Sequence, residues 1–200
     1  MTSYTSDGVD DYVDLRLGEF LELTAAEAPA PGAGSAAALA IALAAALVAK
    51  VARCSRDSWS DGAGVAAQAL ELQSRCPTLA REDTDAWREA LATLGGSNGT
   101  RGRDAALAAA LARAADLPLA IAETGADVSG LALLAAERGD SSLRGEAATA
   151  AVLAHAGVRA AAHLIVLNLA TQAGDERSER AERAERVAAS AAAGALTVEL

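Results

Sequence analysis

Aromatic side chains are scarce in this chain. The 200 residues hold five: Tyr4, Tyr12, Phe20, Trp59 and Trp87. A ligand with a flat ring system therefore has few stacking partners to choose from. Cysteine is scarcer still, and Cys54 and Cys76 are not spaced as a metal or redox motif. A disulfide scaffold and a Cys-based zinc site are excluded, and both cysteines read as reduced core thiols of a cytoplasmic protein. Positive charge is also short: 17 Lys and Arg face 27 Asp and Glu, a net charge of −10. That balance excludes nonspecific nucleic-acid binding, which needs a basic face. No stretch alternates apolar and polar residues in the manner of a half-buried strand. The opening MTSYTSDGVDDYVD is polar and acidic, neither a secretory signal nor a membrane anchor.

What the chain does have is small apolar residues. Hydrophobic residues make up 52% of it, enough for one domain with a real core over residues 1–200. The centre of that domain is PAPGAGSAAALAIALAAALVAKV, Pro29 to Val51. Pro29 and Pro31 stiffen the approach, and Gly32 and Gly34 permit a tight turn. Ser35 reads as the N-cap of the helix that follows. Ala38 cannot complete a capping box, so first-turn N–H groups are left for a ligand. The helix is apolar on nearly every side. Lys50 ends the run too early for a membrane span and alanine is a poor membrane driver, so a buried helix is expected.

Around it the periodicity predicts an all-α bundle of seven or eight helices. The first begins near Leu17. Another covers Gly62 to Cys76, where Pro77 is expected to interrupt it and Thr78 to cap a successor carrying Leu79, Trp87, Leu91 and Leu94 inward. GGSNGTRGR, Gly95 to Arg103, reads as a loop. Helices follow over Ala105 to Ala115, from Pro118 to about Arg138, from about Glu146 to Gln172, and from about Asp175. The repeat ERSERAERAER sets Glu176–Arg180, Glu179–Arg183 and Glu182–Arg186 at i,i+4, the pattern of a solvated helix face.

PAPGAGSAAAL, Pro29 to Leu39, closely resembles PTPGGGSVAAL, the signature of the cyclodeaminase/cyclohydrolase family. Three further segments resemble family patterns in the same order. Asp83 to Trp87, DTDAW, resembles DxDAF; LPLAIAE from Leu117 resembles a P-L-x-x-A helix. RGDSSLRGEAATAAVLAHAGVRAAAHLIVLNL resembles a GNxxxxSDAGVAALLAEAALRGAxLNVRINL stretch. The chain departs from the pattern at Ala33, in the loop Ser55 to Gly62, at Gly145-Glu146, and at Leu164 and Val166, where the family has Asn and Arg. The resemblance implies an all-helical, homodimeric, cytoplasmic enzyme of folate one-carbon chemistry. Its substrate would be a tetrahydrofolate derivative, with no metal, no membrane and no nucleic acid, and with a formiminotransferase as a possible partner. The activity would be methenyltetrahydrofolate cyclohydrolase or formiminotetrahydrofolate cyclodeaminase. The departures leave a second function open, a catalytically degenerate member serving as a folate-binding or assembly module.

Both reactions pass through a tetrahedral carbon between two nitrogens, so both need proton transfer and an anionic group beside a cationic centre. Asp85, Asp83 and Glu146 are the candidate carboxylates. Asp83 and Asp85, two apart on a helix, point in different directions. Alignment with the second Asp of the family pattern favours Asp85, and the alternative for each carboxylate is a first-turn acid stabilising the helix dipole. Gly32, Gly34 and Ser35 are expected to hold the pterin amide or a carboxylate. Trp59 is the candidate cover for a pterin face, unless it is a half-buried surface Trp. Arg144 and Arg159 are candidates for the folate carboxylates, and Asn168 is what remains of the family's NVRIN segment. His155 and His163, eight apart, lack the i,i+4 spacing of a metal pair.

Overall fold

The computed structural model describes residues 12–27, 31–95, 100–169 and 174–198. After a 3-10 turn at Tyr12–Asp14 come α1 (Leu17–Ala25), α2 (Ala33–Cys54), α3 (Gly62–Gly95), α4 (Thr100–Ala114) and α5 (Asp116–Arg138). A second 3-10 turn, Ser141–Leu143, leads into α6 (Arg144–Asn168), and α7 (Glu176–Thr197) completes the bundle. No strand occurs among the described residues, and the all-α expectation holds.

α2 is the axis. It packs on α3, α5 and α6, while α7 lies across α5 and α6 and α4 leans on α3. Ala37, Ala38, Ile41, Ala44, Ala45, Val48, Ala49, Val51 and Ala52 are all buried. The near absence of large side chains lets backbones approach one another. A Cβ on Gly157 would stand 2.7 Å from Ile41 Cγ1 and 3.0 Å from the Ala37 carbonyl oxygen; one on Gly125 would stand 2.7 Å from Ile41 Cδ1. Two glycines thus make the socket for Ile41, the largest fully buried side chain of the axis. By length and composition alone, Ala33–Cys54, Ala105–Arg138 and Ser141–Asn168 are apolar enough to cross a membrane. Here α2, α5 and α6 pack on one another.

Several sequence expectations change in the fold. Pro77 does not interrupt α3, which runs unbroken from Gly62 to Gly95. Proline forfeits one N–H bond, but Ala69, Cys76, Leu79 and Ala80 bury a continuous stripe on both sides of it. Packing outweighs the local penalty. Ser35 does not cap α2: Gly32 occupies the N-cap position in extended conformation, and Ser35 lies inside the first turn, fully buried. Cys76 is a core thiol, its pKa pushed up to about 11 by burial, but Cys54 is exposed at the end of α2. The expected loop over Gly95–Arg103 is shortened, because α4 begins at Thr100; residues 96–99 lie outside the described residues. α6 ends at Asn168 rather than near Gln172. Pro29, Tyr4 and the acidic start of the chain also lie outside the described residues.

Asp175 caps α7, its side chain accepting from the Arg177 amide at 2.9 Å. The charged repeat is not a purely solvated face. Glu182–Arg186 forms at 3.6 Å as its spacing predicts, but Arg180 reaches Glu123 of α5 instead, with bonds of 2.9 and 2.9 Å. Arg177 is largely buried and joins Asp175 and Asp116. Half of the repeat therefore fastens α7 to its neighbours.

Candidate active site

A cavity of about 500 Å³ opens at the N-terminal end of α2. Gly32, Ala33 and Gly34 form one side of it. Asp83, Thr84 and Trp87 of α3 form the second, and Leu111, Ala114, Pro118, Leu164, Leu167 and Asn168 supply the rest. The surface is mostly apolar, and among the described lining residues Asp83 is the one charged side chain.

The first turn of α2 brings donors to this cavity. Ala36 N–H makes the first rung of the helical ladder, to the Gly32 carbonyl at 3.0 Å. The amides of Ala33, Gly34 and Ser35 precede that rung, and no side chain caps them. Such a helix start carries a partial positive charge and favours an anionic or carbonyl partner.

Asp83 sits directly on this turn. A Cβ added to Gly34 would fall on the Asp83 carboxylate, so only glycine leaves room for it there. Burial pushes the Asp83 pKa up from 3.8 to about 6. A carboxylate in that state exists in both protonation forms close to neutral pH, which suits proton transfer.

Behind Asp83 lies a set of buried hydroxyl contacts that do not touch it. Ser35 Oγ donates to the Ala80 carbonyl at 3.0 Å and bonds Thr84 Oγ1 at 3.0 Å. Thr84 Oγ1 also bonds Tyr12 Oη at 2.8 Å. The Tyr12 ring packs edge-on against Phe20, centroids 5.7 Å apart. These buried bonds tie the 3-10 turn, α2 and α3 together beneath the cavity.

Of the ten candidate site residues, Gly32, Gly34, Asp83 and Asn168 line this cavity, with Ser35 behind them. Asn168 donates to the Ala114 carbonyl at 3.4 Å. The others lie elsewhere. Asp85, the carboxylate favoured by alignment, points outward, its side chain 61% exposed and 3.5 Å from Arg88. Two helical residues subtend about 200°, so only one of the pair can face α2. Glu146 bonds Lys50 at 2.9 Å near the opposite end of α2, and that pairing lowers its pKa. Arg144 begins α6 in the same quarter. Trp59 is buried rather than half-buried, beside Gly62 beyond the C-terminus of α2. At 1.5 Å per residue that is about 30 Å from Gly34. Arg159 faces Glu185 at 3.8 Å, over a separate groove that includes His163. The aromatic residue at the cavity is Trp87, 39% exposed.

Thr84, Trp87 and Tyr12 are the residues that sequence reasoning passed over. A signal for two of them existed. Leu79 and Trp87 read as inward-facing, and Asp83 lies midway between them at i,i+4 spacing; Ala80 and Thr84 repeat the pattern one residue on.

The family model for formiminotransferase-cyclodeaminase matches residues 16–189. Among solved structures, a formiminotetrahydrofolate cyclodeaminase from Thermotoga maritima superimposes with a TM-score of 0.83 at 23% identity. The match covers 92% of this chain and 95% of that one. No curated protein sequence shows significant similarity to the chain. The residues matched span nearly all of the described bundle, cavity included, and the chain belongs to the formiminotransferase-cyclodeaminase family.

Proposed function

We propose that this protein is a folate-dependent one-carbon enzyme that acts at the bridge carbon of a tetrahydrofolate derivative, with Asp83 as its proton-transferring group. The observation that carries this reading is the carboxylate of Asp83, half-buried in an apolar cavity against the uncapped first turn of α2. Family membership supports the substrate class.

In the hydrolytic version, water adds to the cationic methenyl carbon. The Asp83 carboxylate takes a proton from that water as the C–O bond forms. A C–N bond then breaks, the departing nitrogen receives that proton, and the hydroxyl releases its own to solvent as the formyl C=O forms. In the deaminating version the secondary amine across the bridge attacks the protonated formimino carbon, and Asp83 passes the amine's proton to the amino group. The protonated amino group leaves as ammonia and the methenyl bridge closes. Both versions place a positive carbon or amidine next to one carboxylate in a low-dielectric pocket, where the attraction is stronger than in water. Exposed apolar side chains on the packed pair α2 and α6, among them Leu43, Val152 and Leu167, support the homodimer that the resemblance implies.

The competing reading is a family member that binds a folate, or another protein, without turnover. One observation favours it: Arg144 and Arg159, the candidate partners for folate carboxylates, stand away from the cavity. A single experiment separates the two. The near-UV absorbance of methenyltetrahydrofolate is followed with the protein, with Asp83→Asn and in buffer. Faster decay with the wild type alone supports the enzyme. Decay at the buffer rate throughout, with folate binding seen by calorimetry, supports the binding module.

A further inference from the structure

The hydroxyl contacts beneath the cavity do more than brace it: they decide which way its protons point. A carbonyl oxygen only accepts, so the single proton of Ser35 Oγ is committed to Ala80, 3.0 Å away. The 3.0 Å bond between Ser35 and Thr84 must then be donated by Thr84. With the Thr84 proton used, the 2.8 Å bond from Tyr12 must be donated by Tyr12. Protons therefore run one way, from Tyr12 through Thr84 and Ser35 to Ala80. Ser35, Thr84 and Tyr12 are each buried, so water does not readily scramble this order.

Thr84 also lines the cavity. After its two bonds, its oxygen keeps one lone pair and no free proton. It can accept a hydrogen bond from a ligand and cannot donate one. Asp83, its neighbour on α3, is likewise an acceptor once ionised, and Trp87 one turn on offers a flat apolar surface. The α3 wall thus presents adjacent acceptors beside an indole. The donors of the cavity, the α2 first-turn amides, lie on another wall.

We propose that Thr84 is a specificity-determining residue, which accepts from an N–H of the ligand so that this edge of the site takes amidines and amino-substituted planar rings and rejects oxygen acceptors. This rests on the cavity being the ligand site proposed above, and it names the polarity of the ligand edge there. A site built around a committed polar group discriminates strongly, because a mismatched ligand leaves that group buried and unpaired.

The test uses a pair of neutral probes differing in one substituent, 2-aminopyrimidine and 2-methoxypyrimidine, titrated at pH 8 by ligand-observed NMR. The wild type is expected to bind the amino compound more tightly by about tenfold. Thr84→Val is expected to reduce that preference to less than about threefold, and Thr84→Ser, which restores the hydroxyl, to recover it. Ser35→Ala releases the Thr84 proton to turn toward the cavity, so the methoxy compound should gain affinity. Thermal melting reports whether each variant folds; should Thr84→Val fail to fold, Thr84→Ser and Ser35→Ala carry the comparison. Equal affinity of the two probes for the wild type, no binding of either, or an unchanged preference in Thr84→Val or Ser35→Ala overturns the proposal. Loss of the preference in Thr84→Ser, with the fold intact, overturns it as well. A preference that follows Thr84 while methenyltetrahydrofolate is not turned over supports this polarity and removes the reaction assigned above.

Discussion

The two ends of α2 differ in sequence and do opposite things. At the C-terminal end hydroxyl and indole side chains close the helix off. Ser55 Oγ donates to the Val51 carbonyl at 2.8 Å and accepts from the Asp140 amide at 2.7 Å. Trp59 is buried there, and Lys50 and Glu146 pair across to α6. At the N-terminal end the first turn has no side-chain cap, a carboxylate rests on it, and a cavity stands open. A helix needs both ends satisfied for stability alone, so an end left open in a well-packed bundle marks where a ligand supplies the missing partners.

Breaking the open end should cost function first. Asp83→Asn is expected to lower turnover of methenyltetrahydrofolate by at least about 100-fold, the usual scale of a lost proton-transfer group. Stability should move the other way. Burial raises the folded pKa of Asp83 to about 6 from 3.8, so its protonated form favours the fold. That contribution is complete below the unfolded pKa and is lost as pH rises through about 6. At pH 8 the ionised carboxylate therefore carries a penalty of up to about 3 kcal/mol, which Asn relieves. Thermal melting of the variant at pH 8 should show a higher midpoint. A lower midpoint would mean that the α2 amides stabilise the carboxylate more than burial penalises it. In the wild type kcat/KM should rise with pH through an apparent pKa near 6.

Gly34→Ala puts a methyl group where the Asp83 carboxylate lies. Its expected effects are a loss of turnover of at least about tenfold and a stability cost of about 1–3 kcal/mol, the range for overpacking. Gly64→Ala, inside α3 with open space around the added carbon, is the control and should leave turnover unchanged while raising stability by up to about 1 kcal/mol.

At the closed end the pattern should invert. Ser55→Ala leaves the part-buried Asp140 amide without its acceptor and should cost about 1 kcal/mol in denaturant melts, with kcat/KM unchanged. The smallest effect belongs to Glu146→Gln. Its pair with Lys50 is exposed, so the melting midpoint should barely move and turnover should stay at the wild-type value. A large loss of activity in Glu146→Gln would bring the far end of α2 back into the chemistry and collapse the contrast between the ends.

Much of the architecture was readable in advance, because periodicity and punctuation are local. Leu17 opens α1 and Asp175 caps α7, as the pattern of apolar residues and capping types predicts. Pro77 misled because a local rule was applied where long-range packing prevails. Helix α3 continues through the proline since α2, α4 and α5 all pack along it. The site was half readable. Gly32, Gly34, Ser35 and Asn168 follow from motifs, whereas the preference for Asp85 came from alignment and ignored helical phase. Trp59 and Trp87 were indistinguishable by composition. Only the distance along α2 separates the one that reaches the cavity from the one that plugs the opposite end.

The sequence by itself determined that this protein is a helical bundle around an alanine-rich axis, with a glycine turn at one end and carboxylates within reach. Those features depend on neighbours a few residues apart. The tertiary structure alone decided which carboxylate lines the cavity, which tryptophan it meets, and which way the protons of Tyr12, Thr84 and Ser35 run. These depend on contacts between residues 49 and 72 positions apart, and no local pattern encodes how two helix faces meet.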